Sequence, residues 1–154
     1  MIEPATDPRT GMTTVVGILS ALYAATFFFG ALLHLGVRIP LGFAVLAEPR
    51  ILPATIVESL CGLALLFGAV AVLTRASFAW TAAFAANAFA LGGVLLGVVA
   101  LAAGGGPTTE LNTIYHRVML VALVTVLALL LTPAGRKTAL SGARVGPQGA
   151  NEGR

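Results

Sequence analysis

The chain predicts an all-α fold: a four-helix transmembrane bundle, up-down and antiparallel, with both termini in the cytoplasm. Three observations carry this. Of its 154 residues, 58% are hydrophobic and 10% charged, whereas a soluble domain carries about 25% charged residues. Four apolar runs each reach the ~20 residues that cross a ~30 Å hydrocarbon core as a helix. The segments between them hold the Pro, Gly and charged residues that stop helices.

Residues 1–12, "MIEPATDPRTGM", form a cytoplasmic N-terminal segment with Glu3, Asp7 and Arg9. The apolar run behind it is about twice the length of a signal-peptide core, so it reads as a retained first helix. That helix covers about 13–37 and ends at Arg38 and Pro40. The connection "RIPLGFAVLAEPR" is apolar but too short and broken to span. It is expected to lie in the outer interface, partly helical, over the end of the bundle. Helix 2 covers about 52–74, with Pro53 in its first turn, a position that suits proline. "TRAS" forces a tight antiparallel hairpin into helix 3, about 77–103. "GGGPTTE" separates helix 3 from helix 4, about 111–132, which Pro133 and Gly135 terminate. The membrane domain is thus 13–132. Residues 133–154, rich in Gly, Arg and polar side chains, are expected to be a disordered cytoplasmic tail.

Lysine and arginine set the orientation. Arg9, Arg75, Arg136, Lys137 and Arg144 fall on one side, and Arg38, Arg50 and Arg117 on the other. The positive-inside rule places the first group in the cytoplasm. The net charge of +3 reflects these flanking residues. No basic stripe interleaved with aromatics is present, which excludes a nucleic-acid partner. The single Cys61 cannot form an internal disulfide.

Threading the helices antiparallel gathers the polar side chains. Helix 1 runs outward, so His34 lies near its outer end. Helix 2 runs inward, so Glu58 lies near its outer start, ~9 Å deep. Helix 4 runs inward, so Asn112, Tyr115, His116 and Arg117 lie near its outer start. Tyr23, Phe27, Gly30 and His34 follow helical spacing on one stripe. Glu58, Cys61, Gly62 and Leu65 share a face, as do Asn112, His116, Met119 and Leu123. Gly93 and Gly97 form a small-xxx-small pair fit for close helix packing.

An intramembrane carboxylate is costly and faces the bundle or a wet cavity. Three readings of this cluster stand side by side. Glu58 hydrogen-bonds His34 or His116 and fixes the packing. Alternatively the group is a ligand, proton or quinone site, within which a bis-histidine haem is the least favoured case. Thirdly, His34, His116 and Glu58 ligate a metal, although no helix concentrates ligands as HxxxH or ExxH.

At helix 2 the chain resembles the DoxX-like superfamily of small four-helix bacterial membrane proteins. Their second helix reads Glu, Gly four residues on, Leu three further and Gly three further. Here these are Glu58, Gly62, Leu65 and Gly68 in "ESLCGLALLFG". Arg75 falls a few residues later than the arginine that closes the family's helix. Where the family's first helix carries Gly followed by Lys, this chain has Gly30 and His34. The resemblance covers the four-helix architecture and about one helix of pattern. It implies a bundle in a bacterial cytoplasmic membrane, tied in some members to thiosulfate–quinone redox complexes, and so suggests quinone as the cofactor.

Three functions follow as expectations. The first is a protein without catalytic activity of its own that binds a quinone or lipid at the outer His/Glu cluster. The second is an accessory subunit of a larger membrane complex, or a homo-oligomer, with the cluster as packing glue. The third is a transporter or proton path, disfavoured because the polar residues stop in the outer half.

Overall fold

The computed structural model of the protein describes residues 8–107, 109–133, 135 and 136. Four helices dominate: α1 (Pro8–Leu35), α2 (Leu52–Leu73), α3 (Ala79–Ala102) and α4 (Glu110–Leu131). All four are long and apolar enough to cross a membrane. Each consecutive pair packs together, with α1 against α2 the closest. Large apolar side chains stay more than half exposed on every helix, Leu22, Ile56, Phe89 and Val121 among them. A surface of this kind belongs in lipid, where such exposure carries no penalty.

The boundaries differ modestly from those expected. α1 starts at Pro8, so the helix reaches into the segment read as a cytoplasmic N-terminal stretch, with Pro8 in a first turn that tolerates it. The expected disorder of the tail concerns residues that, from Lys137 onward, lie outside those described. Pro133, Gly135 and Arg136 instead add a helical turn after α4.

The α1–α2 connection corrects one expectation. It holds no helix; a two-stranded antiparallel pair forms, β1 (Ile39–Pro40) and β2 (Val45–Leu46). Gly42 at φ 83° turns the chain, and the Leu41 N–H donates to the Ala44 carbonyl at 2.8 Å. Pro40 and the left-handed glycine both oppose helix here. The hairpin tip, with Leu41, Phe43 and Val45, is exposed. Residues 47–51 then strap back across the bundle.

Three helices end in the same way. Gly36 and Gly104 are left-handed at φ 103° and 78°, and each closes a pair of backbone bonds onto the last turn, Gly36 to Leu33 and Val37 to Leu32, then Gly104 to Leu101 and Gly105 to Ala100. This is the Schellman arrangement. α2 makes the same bonds, Arg75 to Val72 and Ala76 to Ala71, but with Arg75 at φ 56° where glycine is usual.

The interior has two apolar clusters. One packs Phe27, Cys61, Leu65, Val94, Met119 and Leu123. The other packs Val16, Val72, Ala83, Val126 and Leu130 near the α2–α3 turn. On helix 3, Asn87 is fully buried; its amide donates to the Ala83 carbonyl at 2.8 Å and to Ser20 Oγ at 3.3 Å. The Trp80 indole N–H donates to the Leu130 carbonyl at 2.9 Å. It thereby satisfies one of the carbonyls that the end of α4 leaves open.

Candidate functional site

His34 occupies the last turn of α1 and is buried. The strap holds it from two sides. The Ile51 N–H donates to the His34 carbonyl at 3.0 Å, and the ring Nδ1 lies 3.3 Å from the Pro49 carbonyl. A carbonyl only accepts, so Nδ1 carries the proton of that bond. The other nitrogen, Nε2, faces Glu58 Oε1 at 3.7 Å. That is ion-pair contact and too long for a hydrogen bond. Glu58 thus faces the bundle interior beside His34, as expected, but the direct form of the expected hydrogen bond is not made.

Glu58 is buried on the inner face of α2, in line with Cys61, Gly62 and Leu65. Its carboxylate lies against α1 at Gly30, where a Cβ would fall 3.0 Å from Oε1 and 3.1 Å from Oε2. Oε2 is buried without a hydrogen-bond partner. Without a proton, Glu58 Oε1 and the lone pair of His34 Nε2 would oppose each other. One proton between them gives either imidazolium and carboxylate or imidazole and acid, and both forms are neutral overall.

α4 begins with Thr109 as its N-cap, the hydroxyl accepting from the Asn112 N–H at 3.0 Å. The same hydroxyl donates to the Glu48 carboxylate, 2.7 Å from both oxygens. Glu48 thus ties the strap to α4 and sets a negative group at the positive end of the helix. One turn on, His116 Nδ1 lies 2.8 Å from the Asn112 carbonyl. Again Nδ1 is the donor, which leaves Nε2 of the neutral ring as an acceptor. Gly97 of α3 makes room for the ring, since a Cβ there would fall 2.5 Å from His116 Nε2. Gly93, one turn away, opens the same helix toward α2, with Cys61 Sγ 2.5 Å from the corresponding position.

These elements line a partly open cavity of about 160 Å³ at the end of the bundle. His34, Glu58, Asn112 and His116 line it together with apolar side chains such as Val57 and Leu96. Ile51 of the strap and Gly105–Gly106 of the α3–α4 connection close its rim. Asn112 Oδ1, like Glu58 Oε2, is buried and unpartnered.

Four of the six site residues expected from sequence therefore meet at one cavity. Tyr115 and Arg117 do not line it. Tyr115 turns toward α1 and packs edge-on against Phe27 at 6.2 Å, its hydroxyl buried and unpartnered. Arg117 is exposed on the opposite face of α4. The turn of about 100° per residue explains this, because the residue after His116 leaves the Asn112–His116 stripe. Among the described residues no three His, Cys, Asp or Glu side chains gather as metal ligands, so His34, His116 and Glu58 do not form the ligand set considered from sequence.

Sequence reasoning set the connection over the end of the bundle but missed the contacts it makes with the site. Glu48, the Pro49 carbonyl and Ile51 all shape the site, and no periodic pattern marks them. Thr109 was within reach, since a threonine just before an apolar helical run is an N-cap signal. Comparison with protein-family models, with curated proteins and with solved structures finds no match for this chain.

Proposed function

We propose that this protein is a multi-pass membrane protein that binds a small amphipathic molecule, a quinone or a lipid, at the cavity ringed by Glu58, His34, His116 and Asn112. The observation that carries the reading is the pairing of a cavity of about 160 Å³ with buried polar atoms on its lining residues that no protein group satisfies. Buried polar groups are nearly always hydrogen-bonded, and a bound head group would meet these. The apolar lining suits the rest of the ligand. The DoxX-like pattern Glu58, Gly62, Leu65 and Gly68 agrees with this reading. The same reading places the protein in a bacterial cytoplasmic membrane with both termini inside. The protein carries no chemistry of its own on this reading.

The test is native mass spectrometry of the purified protein released from membranes. A bound quinone or lipid that is lost when the cavity is filled by Ala54→Phe supports the reading. A protein that never carries a small molecule sinks it. A second reading, an accessory subunit, is favoured by Arg117. Its charge sits ~10 Å along α4 on an exposed face flanked by Ile114, Val118 and Val121, where a partner's carboxylate would relieve its cost in lipid. The same spectra would then show a stable hetero-complex.

A further inference from the structure

We infer that the cavity selects a single-ring head bearing hydroxyl groups, a phenol or hydroquinone, over a ring whose polar atoms only accept, such as a benzoquinone. The inference rests on the binding reading above and adds to it the size and the hydrogen-bonding sense of the ligand.

Size comes first. A cavity of about 150 Å³ with apolar walls holds one benzene-sized ring, and this one measures about 160 Å³. The cavity is partly open, so the rest of a ligand can lie outside it.

Hydrogen-bonding sense comes next. His116 Nδ1 is committed to the Asn112 carbonyl, so in the neutral ring Nε2, beside Gly97 at the cavity wall, is an acceptor. His34 Nδ1 is committed to the Pro49 carbonyl, and its Nε2 faces Glu58 Oε1 at 3.7 Å, in contact but without a hydrogen bond. Glu58 Oε2 is a further acceptor without a partner. The Asn112 amide offers both a donor and an acceptor whatever the protonation of its neighbours. A dione could take a bond from Asn112 but would leave the His116 Nε2 lone pair facing its own. A hydroxyl both donates and accepts, so two of them on one ring serve His116 or Glu58 and still receive from Asn112. Leaving a buried acceptor unmet is costly, and a site built to bond a hydroxyl rejects the analogue lacking it. Glu58 is the one acidic side chain lining the cavity, and His34 stands beside it.

The experiment compares three probes of matched tail on the full-length protein in nanodiscs under anaerobic conditions: decylhydroquinone, decylbenzoquinone and decylbenzene. Binding is read by equilibrium dialysis and checked by the shift in Tm. Decylhydroquinone is expected to bind at least tenfold more tightly than decylbenzoquinone, a difference of about 1.4 kcal/mol, with decylbenzene weakest. Glu58→Gln, which retains shape and supplies its own donor, should narrow the preference without abolishing binding. Equal or reversed affinity for the dione overturns the donor selection while leaving the cavity as a quinone site. Saturable binding of all three with equal strength also overturns it, since the polar atoms then contribute nothing. If none binds saturably, the ligand-binding reading itself falls, and this inference falls with it. The wild-type comparison needs no variant to fold.

Discussion

Gly30 on α1 and Glu58 on α2 approach so closely that a single methyl group on Gly30 would lie 3.0 Å from the carboxylate. The contact seats the one buried carboxylate of the described helices against backbone, beside His34 one turn further along α1. Gly30→Ala should therefore push the carboxylate off its seat and cost ~1–3 kcal/mol, the range for overpacking a filled interior. The check is thermal unfolding in detergent combined with a double-mutant cycle. In a Glu58→Ala background the same Gly30→Ala change should cost much less, because the two effects share one contact.

Replacing Glu58 separates shape from proton exchange. Glu58→Gln should keep the fold within about 1 kcal/mol, since it preserves volume and hydrogen-bonding capacity. Glu58→Leu should cost ~1–3 kcal/mol, because His34 Nε2 is left buried without a partner. Melting curves of the two variants side by side decide this, and equal stability would show that His34 does not depend on Glu58.

The glycines of α3 offer an internal control. A methyl at Gly97 would fall 2.5 Å from His116 Nε2, whereas at Gly92 nothing lies within 4 Å. Gly97→Ala should lower Tm and displace the His116 ring, visible as a shifted imidazole resonance by NMR. Gly92→Ala should be neutral or raise stability by ~0.5–1 kcal/mol through helix propensity. Equal behaviour of the two would place the Gly97 face against lipid.

Arg75 stands in the left-handed position that closes α2. A side chain there costs ~1–2 kcal/mol relative to glycine's freedom, which glycine partly returns by ordering a looser unfolded chain. Arg75→Gly should raise stability by about 0.5–1 kcal/mol, measured by denaturant unfolding. Arg75→Ala should not, since it keeps the Cβ.

Orientation rests on where the lysines and arginines fall. A cytoplasmic reporter fused to the C-terminus should be active and an exported one silent. The opposite pattern would put the cavity at the cytoplasmic face.

The helices were legible because apolar runs of membrane length leave few alternatives. The gathering of His34, Glu58, Asn112 and His116 followed from alternating direction alone. Their faces followed from spacing of three and four residues, as with Phe27, Gly30 and His34. What escaped is local or lacks a period. Two-residue strands such as Ile39–Pro40 are too short to show alternation. The Glu48–Thr109 bond joins residues 61 apart in the chain with nothing in either segment to announce the other. Arg117 was misplaced by counting depth without angle, since depth alone cannot separate neighbours on a helix.

The seat of Glu58 has a consequence for how the chain is made. Both groups that shelter it, Gly30 and His34, belong to the helix translated just before its own. When α2 leaves the ribosome and enters the bilayer, α1 is already there to receive it. The first helical hairpin can thus hide its carboxylate before α3 exists, and the insertion machinery never has to pass an unaccompanied acid into lipid.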